Sequence, residues 1–214
     1  MKRRKLLKSI VLTSLGINIS GIVSYQNIKK PGTILIVSGW QDINIGDIAH
    51  TPGLLNILQT FLPDTELILW KKSAGSEVEA WLSRNFPGVR IIHGDVDADF
   101  NVSSSEVKDA FRSAGIMIHG SGPSVVGSAN LEAWVKATGK PFGIFGTTIQ
   151  TIDETLKNLL LKASFIYTRE TASFDVLIKN GIEKPIRNFV PDATFFMHLK
   201  DEERADIFLK EKGL

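Results

Sequence analysis

Gly39-Trp40-Gln41-Asp42-Ile43-Asn44-Ile45-Gly46-Asp47-Ile48-Ala49-His50-Thr51-Pro52 is the stretch on which the reading of the fold turns. It follows residues 33–38, a short β-rich run with no helical period, and precedes residues 54–62, whose apolar side chains recur at helical spacing. It therefore reads as the loop between a first strand and a first helix. In open α/β sheets, ligands bind in that position, because strand ends and helix N-termini turn backbone donors and side chains into one crevice. Gly46 accepts backbone conformations closed to residues with a Cβ, and Asn44 tolerates the left-handed region. Asp47 then stands at a helix start, and Thr51-Pro52 repeats the start signal, so the first helix is expected over 52–62. Asp47 and Thr51 read equally as simple caps.

Onward from this loop, β-rich runs alternate with amphipathic segments. Strands are expected at residues 33–38, 66–70, 89–92, 115–119, 141–145, 165–168 and 188–190, and helices at 52–62, 77–86, 105–114, 130–138, 152–162 and 172–179. This is the pattern of an α/β, Rossmann-like parallel sheet with helices on both faces, in one domain spanning 33–200. A last helix, 201–214, has no strand after it and reads as leading into a second domain.

Composition narrows the chemistry. The 214 residues are 43% hydrophobic and 22% charged, ordinary for a globular chain, and the absence of cysteine removes disulfides, thiolate nucleophiles and cysteine metal sites. The four histidines lie far apart, so no metal site is expected from them. The net charge of +2 is uneven: residues 1–30 hold seven basic residues and no acid, leaving 18 basic against 23 acidic residues in the remainder. An acidic body without a basic stripe argues against nucleic acid as a partner.

The leader, residues 1–25, opens Lys2-Arg3-Arg4-Lys5-Leu6-Leu7-Lys8 and continues uncharged from Ser9 to Tyr25. It is similar to a twin-arginine export signal, with Lys2 and Leu6 departing from that motif, and no Ala-x-Ala cleavage site follows. The expectation is an extracytoplasmic protein, or membrane association through this segment with the body in the cytoplasm. Residues 26–32, ending in Lys29-Lys30-Pro31-Gly32, read as a linker.

Further along, His119-Gly120-Ser121-Gly122-Pro123 follows the fourth strand. Its glycines admit close backbone approach and its serine adds a hydroxyl, which suits a phosphate or sugar, although it is neither a Walker loop nor a dinucleotide fingerprint. A plain tight turn, with His119 a satisfied strand-end residue, is the competing reading. Arg169, after the sixth strand, binds an anion if it faces the cleft, or pairs with adjacent Glu170. Asp192 binds a hydroxyl or caps its turn. Asp95, Asp97, Asp99, Asn101 and Glu106 fit the spacing of a calcium loop, but Phe100 fills the place that requires glycine, so a solvated acidic loop is expected.

Taken together, Trp40 to Pro52, His119-Gly120-Ser121-Gly122-Pro123, Arg169-Glu170-x-x-Ser173 with Leu177 and Gly181, and Pro191-Asp192-x-x-Phe195 resemble the polysaccharide pyruvyl transferase family. The resemblance runs over residues 33–200 and implies the N-terminal lobe of a two-lobed glycosyltransferase-like fold. It implies transfer of the pyruvyl unit of phosphoenolpyruvate, a co-substrate, onto hydroxyls of a glycan acceptor, with no cofactor. It places Asn44, Gly46 and Asp47 along the acceptor side, with Asp47 as general base and His50 as runner-up, Gly120, Ser121 and Gly122 as backbone contacts to substrate, Arg169 as holding an anion or ordering the cleft, and Asp192 as a further substrate-binding candidate. Members are usually much longer, and their phosphoenolpyruvate-gripping residues lie mainly in a second domain. An exported glycan-binding or envelope-associated protein and a nucleotide-sugar glycosyltransferase remain as alternatives.

Overall fold

The computed structural model describes residues 32–213, so the signal-like segment 1–25 and all but the last residue of the linker lie outside the described residues. Seven strands, β1 (Thr33–Ser38), β2 (Glu66–Lys71), β3 (Val89–Ile92), β4 (Ile116–His119), β5 (Phe142–Thr147), β6 (Phe165–Thr168) and β7 (Ile186–Phe189), form one parallel sheet in the order β3-β2-β1-β4-β5-β6-β7. The helices between them are α1 (Ile45–Phe61), α2 (Ser76–Asn85), α3 (Ser105–Ser113), α4 (Ser128–Thr138), α5 (Glu154–Leu160) and α6 (Thr171–Lys179), followed by a 3₁₀ turn (Ala193–Phe196) and α7 (Glu202–Glu211). The fold is the expected α/β Rossmann-like one.

Period-two alternation divides the strands between two cores. Ile34 and Ile36 of β1 pack with Leu54, Leu55 and Leu58 of α1 and Leu82 of α2, while Leu35 and Val37 join Phe111 of α3, Trp134 of α4 and Leu160 of α5 on the other face. With both faces covered, β1 is buried throughout, which is why its sequence shows no polar alternation. The winding reverses between β1 and β4, placing their carboxyl ends at the centre of the crevice rim.

The first helix departs from expectation. It begins at Ile45, because the Asn44 side chain accepts a hydrogen bond from Gly46 N at 2.8 Å and caps it there, so Thr51-Pro52 lies inside the helix. A helix-interior proline forfeits one backbone bond. Burial offsets that loss: α1 is covered by the sheet on one side and by the 3₁₀ turn on the other, and Gly53 leaves room for the turn. A Cβ on Gly53 would stand 2.0 Å from the Ala193 carbonyl oxygen. Helix α7 places none of its residues in either core, and no described helix is long and apolar enough to cross a membrane.

Gly53→Ala is therefore expected to destabilise the fold by about 1–3 kcal/mol through overpacking, read as a lower urea midpoint with unchanged m-value. A midpoint equal to that of the parent protein would show that the turn does not bear on the helix as described.

Candidate functional site

The Asn44 cap sets the phase of α1 and puts Asp47 and His50 one turn apart on the same side, facing the rim. On leaving β7, the chain crosses back over the strand ends and Asp192 caps the 3₁₀ turn by accepting from Thr194 N at 2.9 Å. Arg169 reaches in from the end of β6. Three remote segments thus meet at one carboxylate: Asp192 Oδ2 accepts from Arg169 Nη1 at 2.7 Å and lies 3.2 Å from His50 Nε2. Burial alone would raise the Asp192 carboxyl, but the bonds from His50, Thr194 N and Arg169 outweigh it and hold the group well below the usual carboxylate range.

The other side of the imidazole is unusual. His50 is 6% exposed, and its Nδ1 has no hydrogen-bond partner, facing Asp47 Oδ1 across 3.7 Å. Because ionised Asp192 only accepts, Nε2 donates to it, which in a neutral ring would leave Nδ1 as the acceptor. The far oxygen of Asp47 accepts from Gln41 Nε2. The loop bearing Gln41 is itself pinned by Asp42, which takes bonds from buried Lys71 Nζ at 2.7 Å and from Gly75 N at 2.6 Å. Burial opposes ionisation of Asp42, and the Lys71, Ser73 and Gly75 donors overcome it and lower its pKa.

Arg169 is aimed by its neighbours. Its Nε donates to Thr148 Oγ1 at 2.7 Å; Thr148 in turn donates to Glu170 Oε2 at 3.2 Å; and Ser173, hydrogen-bonded to Glu170, accepts from Ile149 N at 2.6 Å. The Arg-Glu-x-x-Ser motif is thus a clamp joining the start of α6 to the loop after β5. Arg169 stands closer to Asp192 than to adjacent Glu170, whose carboxylate is 3.8 Å away.

Gly120, Ser121 and Gly122 lie at the end of β4 as expected, but all three are buried and their polar groups are engaged internally. Ser121 Oγ bonds Phe145 O at 3.3 Å and accepts from Ala193 N at 3.2 Å, Gly120 N donates to Val37 O, and Gly122 O accepts from Thr148 N. These internal bonds hold the loop in shape, and its part in substrate contact stays an expectation. Trp40 packs against this loop: its indole donates to Ser121 O at 2.7 Å and lies on the His119 ring, 4.7 Å between centroids. His119 is structural as well: Nε2 accepts from Gly127 N at 3.0 Å, and burial pushes the imidazole down to about 4. In the acidic loop, Asp97 spends its carboxylate on the amides of Asp99 and Asn101, with Phe100 at φ 59°; no group of three metal-binding side chains occurs among the described residues.

What stays open is a cleft of about 780 Å³ with Gly46, His50, Arg169, Glu170 and Asp192 at its base and Phe189, Pro191 and Phe195 around it. Asn44 stands at the cap beside it. Thr148 was not legible as a site residue, because it acts on Arg169 and Glu170, 21 and 22 residues further along the chain.

The sheet is Rossmann-like with switched winding, and ionisable side chains gather over its strand ends. The chain belongs to the polysaccharide pyruvyl transferase family, a family of transferases, whose model matches residues 44–210. Among solved structures it is similar to Anabaena Alr3699/HepE in complex with UDP-glucose (TM-score 0.53, 12% identity, 85% of this chain and 50% of that one) and in complex with UDP (TM-score 0.51, 10% identity, the same coverage). The chain spans about half the length of these structures. No curated protein matches the sequence.

The buried His119 makes stability pH-dependent. Between pH ~6.5 and about 4 the unfolded chain binds a proton that the folded chain refuses, so stability falls as pH falls across that window, by up to about 3 kcal/mol. Asp192 adds its own loss only lower, as pH falls below the ordinary aspartate range. Denaturation midpoints measured from pH 7 to 4 are expected to slope less in His119→Gln; an identical slope would place the titration elsewhere.

Proposed function

We propose that this protein is a pyruvyltransferase acting on a glycan, with Asp47 and His50 as its acid–base pair. The observation that carries the reading is the buried, unpartnered Nδ1 of His50, held between two carboxylates. A buried acceptor without a donor costs about 1–3 kcal/mol, and a sugar hydroxyl supplies the missing donor. Asp192 keeps the Nε2 proton in place, so Nδ1 receives the proton that the hydroxyl gives up as it attacks. Asp47 then faces the imidazolium and stabilises it. His50 thereby takes the leading part and Asp47 the supporting one, the reverse of the order expected from sequence.

The chemistry balances as follows. The enol carbon C3 of phosphoenolpyruvate gains a proton and becomes a methyl group, one acceptor oxygen bonds to C2, and the C2–O bond to phosphate breaks. A second hydroxyl then bonds to C2 to close the ketal. Of the two hydroxyl protons, one balances the new methyl group and the other leaves with inorganic phosphate. Phosphoenolpyruvate serves as co-substrate and no cofactor is invoked. Arg169 is already paired with Asp192, so it orders the base and is not the main grip on the donor's phosphate. The leader is read as a twin-arginine-like membrane address.

Turnover of the full-length protein with phosphoenolpyruvate and a glycan acceptor, followed by phosphate release, tests the assignment. His50→Ala and Asp47→Ala are each expected to lower kcat by roughly 10²–10⁴-fold. Parent-level rates in His50→Ala would remove it from the mechanism. Consumption of UDP-glucose in place of phosphoenolpyruvate would favour the nucleotide-sugar reading, and glycan binding without turnover the binding-protein reading.

A further inference from the structure

The 3₁₀ turn has two faces with opposite fates. Ala193 is buried against α1 and Phe196 packs towards Phe61, 6.0 Å between ring centroids. Residues three apart eclipse in a 3₁₀ helix, so these two anchors fix which side chains point outward. Phe195, between them, is 82% exposed, and Phe189 at the end of the edge strand is 50% exposed. Both border the cleft whose base is His50, Asp192 and Arg169, with Pro191 between them in sequence. Large aromatic side chains in water are unfavourable, and two of them beside the same polar floor mark a surface built to be covered.

We propose that Phe195 and Phe189 form a stacking wall for the acceptor, taking the CH face of a pyranose ring. This inference rests on the acid–base assignment above and names the acceptor's form. A pyranose has the matching two-sided chemistry: its axial hydrogens make a flat apolar face that lies against an aromatic ring, while its equatorial hydroxyls project sideways. Seated against the wall, the ring directs its edge hydroxyls towards His50, whose Nδ1, on the Asp47 side, takes the proton. Phosphoenolpyruvate, small and densely anionic, has no such face. Phe195 acts here as a specificity-determining residue, holding the ring while the carboxylates and imidazole work on its oxygen.

The test compares methyl β-D-galactopyranoside with galactitol, an open-chain polyol rich in hydroxyls but without a ring face, using saturation-transfer NMR on the full chain. Expected are binding of the pyranoside with saturation concentrated on the hydrogens of one ring face, weaker or absent binding of galactitol, and a roughly 3- to 10-fold loss of pyranoside affinity in Phe195→Ala. Phe195→Trp is expected to preserve binding and Phe195→Leu to lose it, with thermal unfolding unchanged in all three. Equal binding of galactitol, parent-level affinity in Phe195→Ala, or full retention in Phe195→Leu would each overturn the wall. So would loss of self-association in Phe195→Ala without any change in sugar binding, which would assign the ring to a protein interface. Ring-face binding that depends on Phe195 but is unaccompanied by phosphoenolpyruvate turnover would leave the wall standing and sink the pyruvyl-transfer reading. Turnover with an unchanged acceptor KM in Phe195→Ala would do the opposite.

Discussion

The arrangement of the rim depends on one carboxylate. Asp192 takes bonds from Arg169, from His50 and from the backbone of its own turn, and those donors belong to the end of β6, to α1 and to the segment after β7. Two charged partners brought into a half-covered space would be costly apart, because neither is fully hydrated there; together they satisfy one another. Loss of the carboxylate would leave the guanidinium and the imidazole without their shared acceptor. The contact from Ser121 Oγ to Ala193 N ties the same turn to β4, so the rim is braced by an uncharged bond as well. The orientation of His50 is consequently held by Asp192, a residue far from it in sequence.

The sheet could be read from the sequence because local pattern and tertiary demand agree there. Runs such as Thr-Ile-Leu-Ile-Val-Ser, residues 33–38, are apolar throughout because both faces are covered, and the structure gives that strand the expected limits. The start of α1 was less legible because two cap signals competed. Asn44 with Gly46 won over Thr51-Pro52, since the proline sits where burial on two sides holds the helix together. The site was legible in location more than in role. Gly120 to Gly122 stand at the right strand end, yet no local signal told that Trp40 would lie over them. Arg169 had Glu170 beside it as an obvious mate, and turned instead to Asp192, because the return of the 189–196 segment across the sheet is a tertiary event without a signature in either stretch.

Likeness to the Anabaena structures at 10–12% identity establishes the fold, and the family match establishes kinship; neither assigns a proton to an atom. The proposed assignment rests on the contacts of the rim. The same geometry limits the rim's electrostatics: among the side chains lining the cleft, Arg169 is the cation, and Asp192 already neutralises it. Proton handling and orientation of an uncharged partner suit such a surface better than tight capture of a polyanion.

The two-faced turn after β7 also separates side chains that hold the fold from side chains that face the cleft. Ala193, Phe196 and Asp192 are committed to α1 and to the base, whereas positions 189, 191 and 195 touch the cleft from outside that scaffold. Substitution at those three positions would alter the cleft wall and leave the contacts of Asp192 with His50 and Arg169 in place. Changing the cleft wall on this frame takes only a few codons within one seven-residue segment, 189–195.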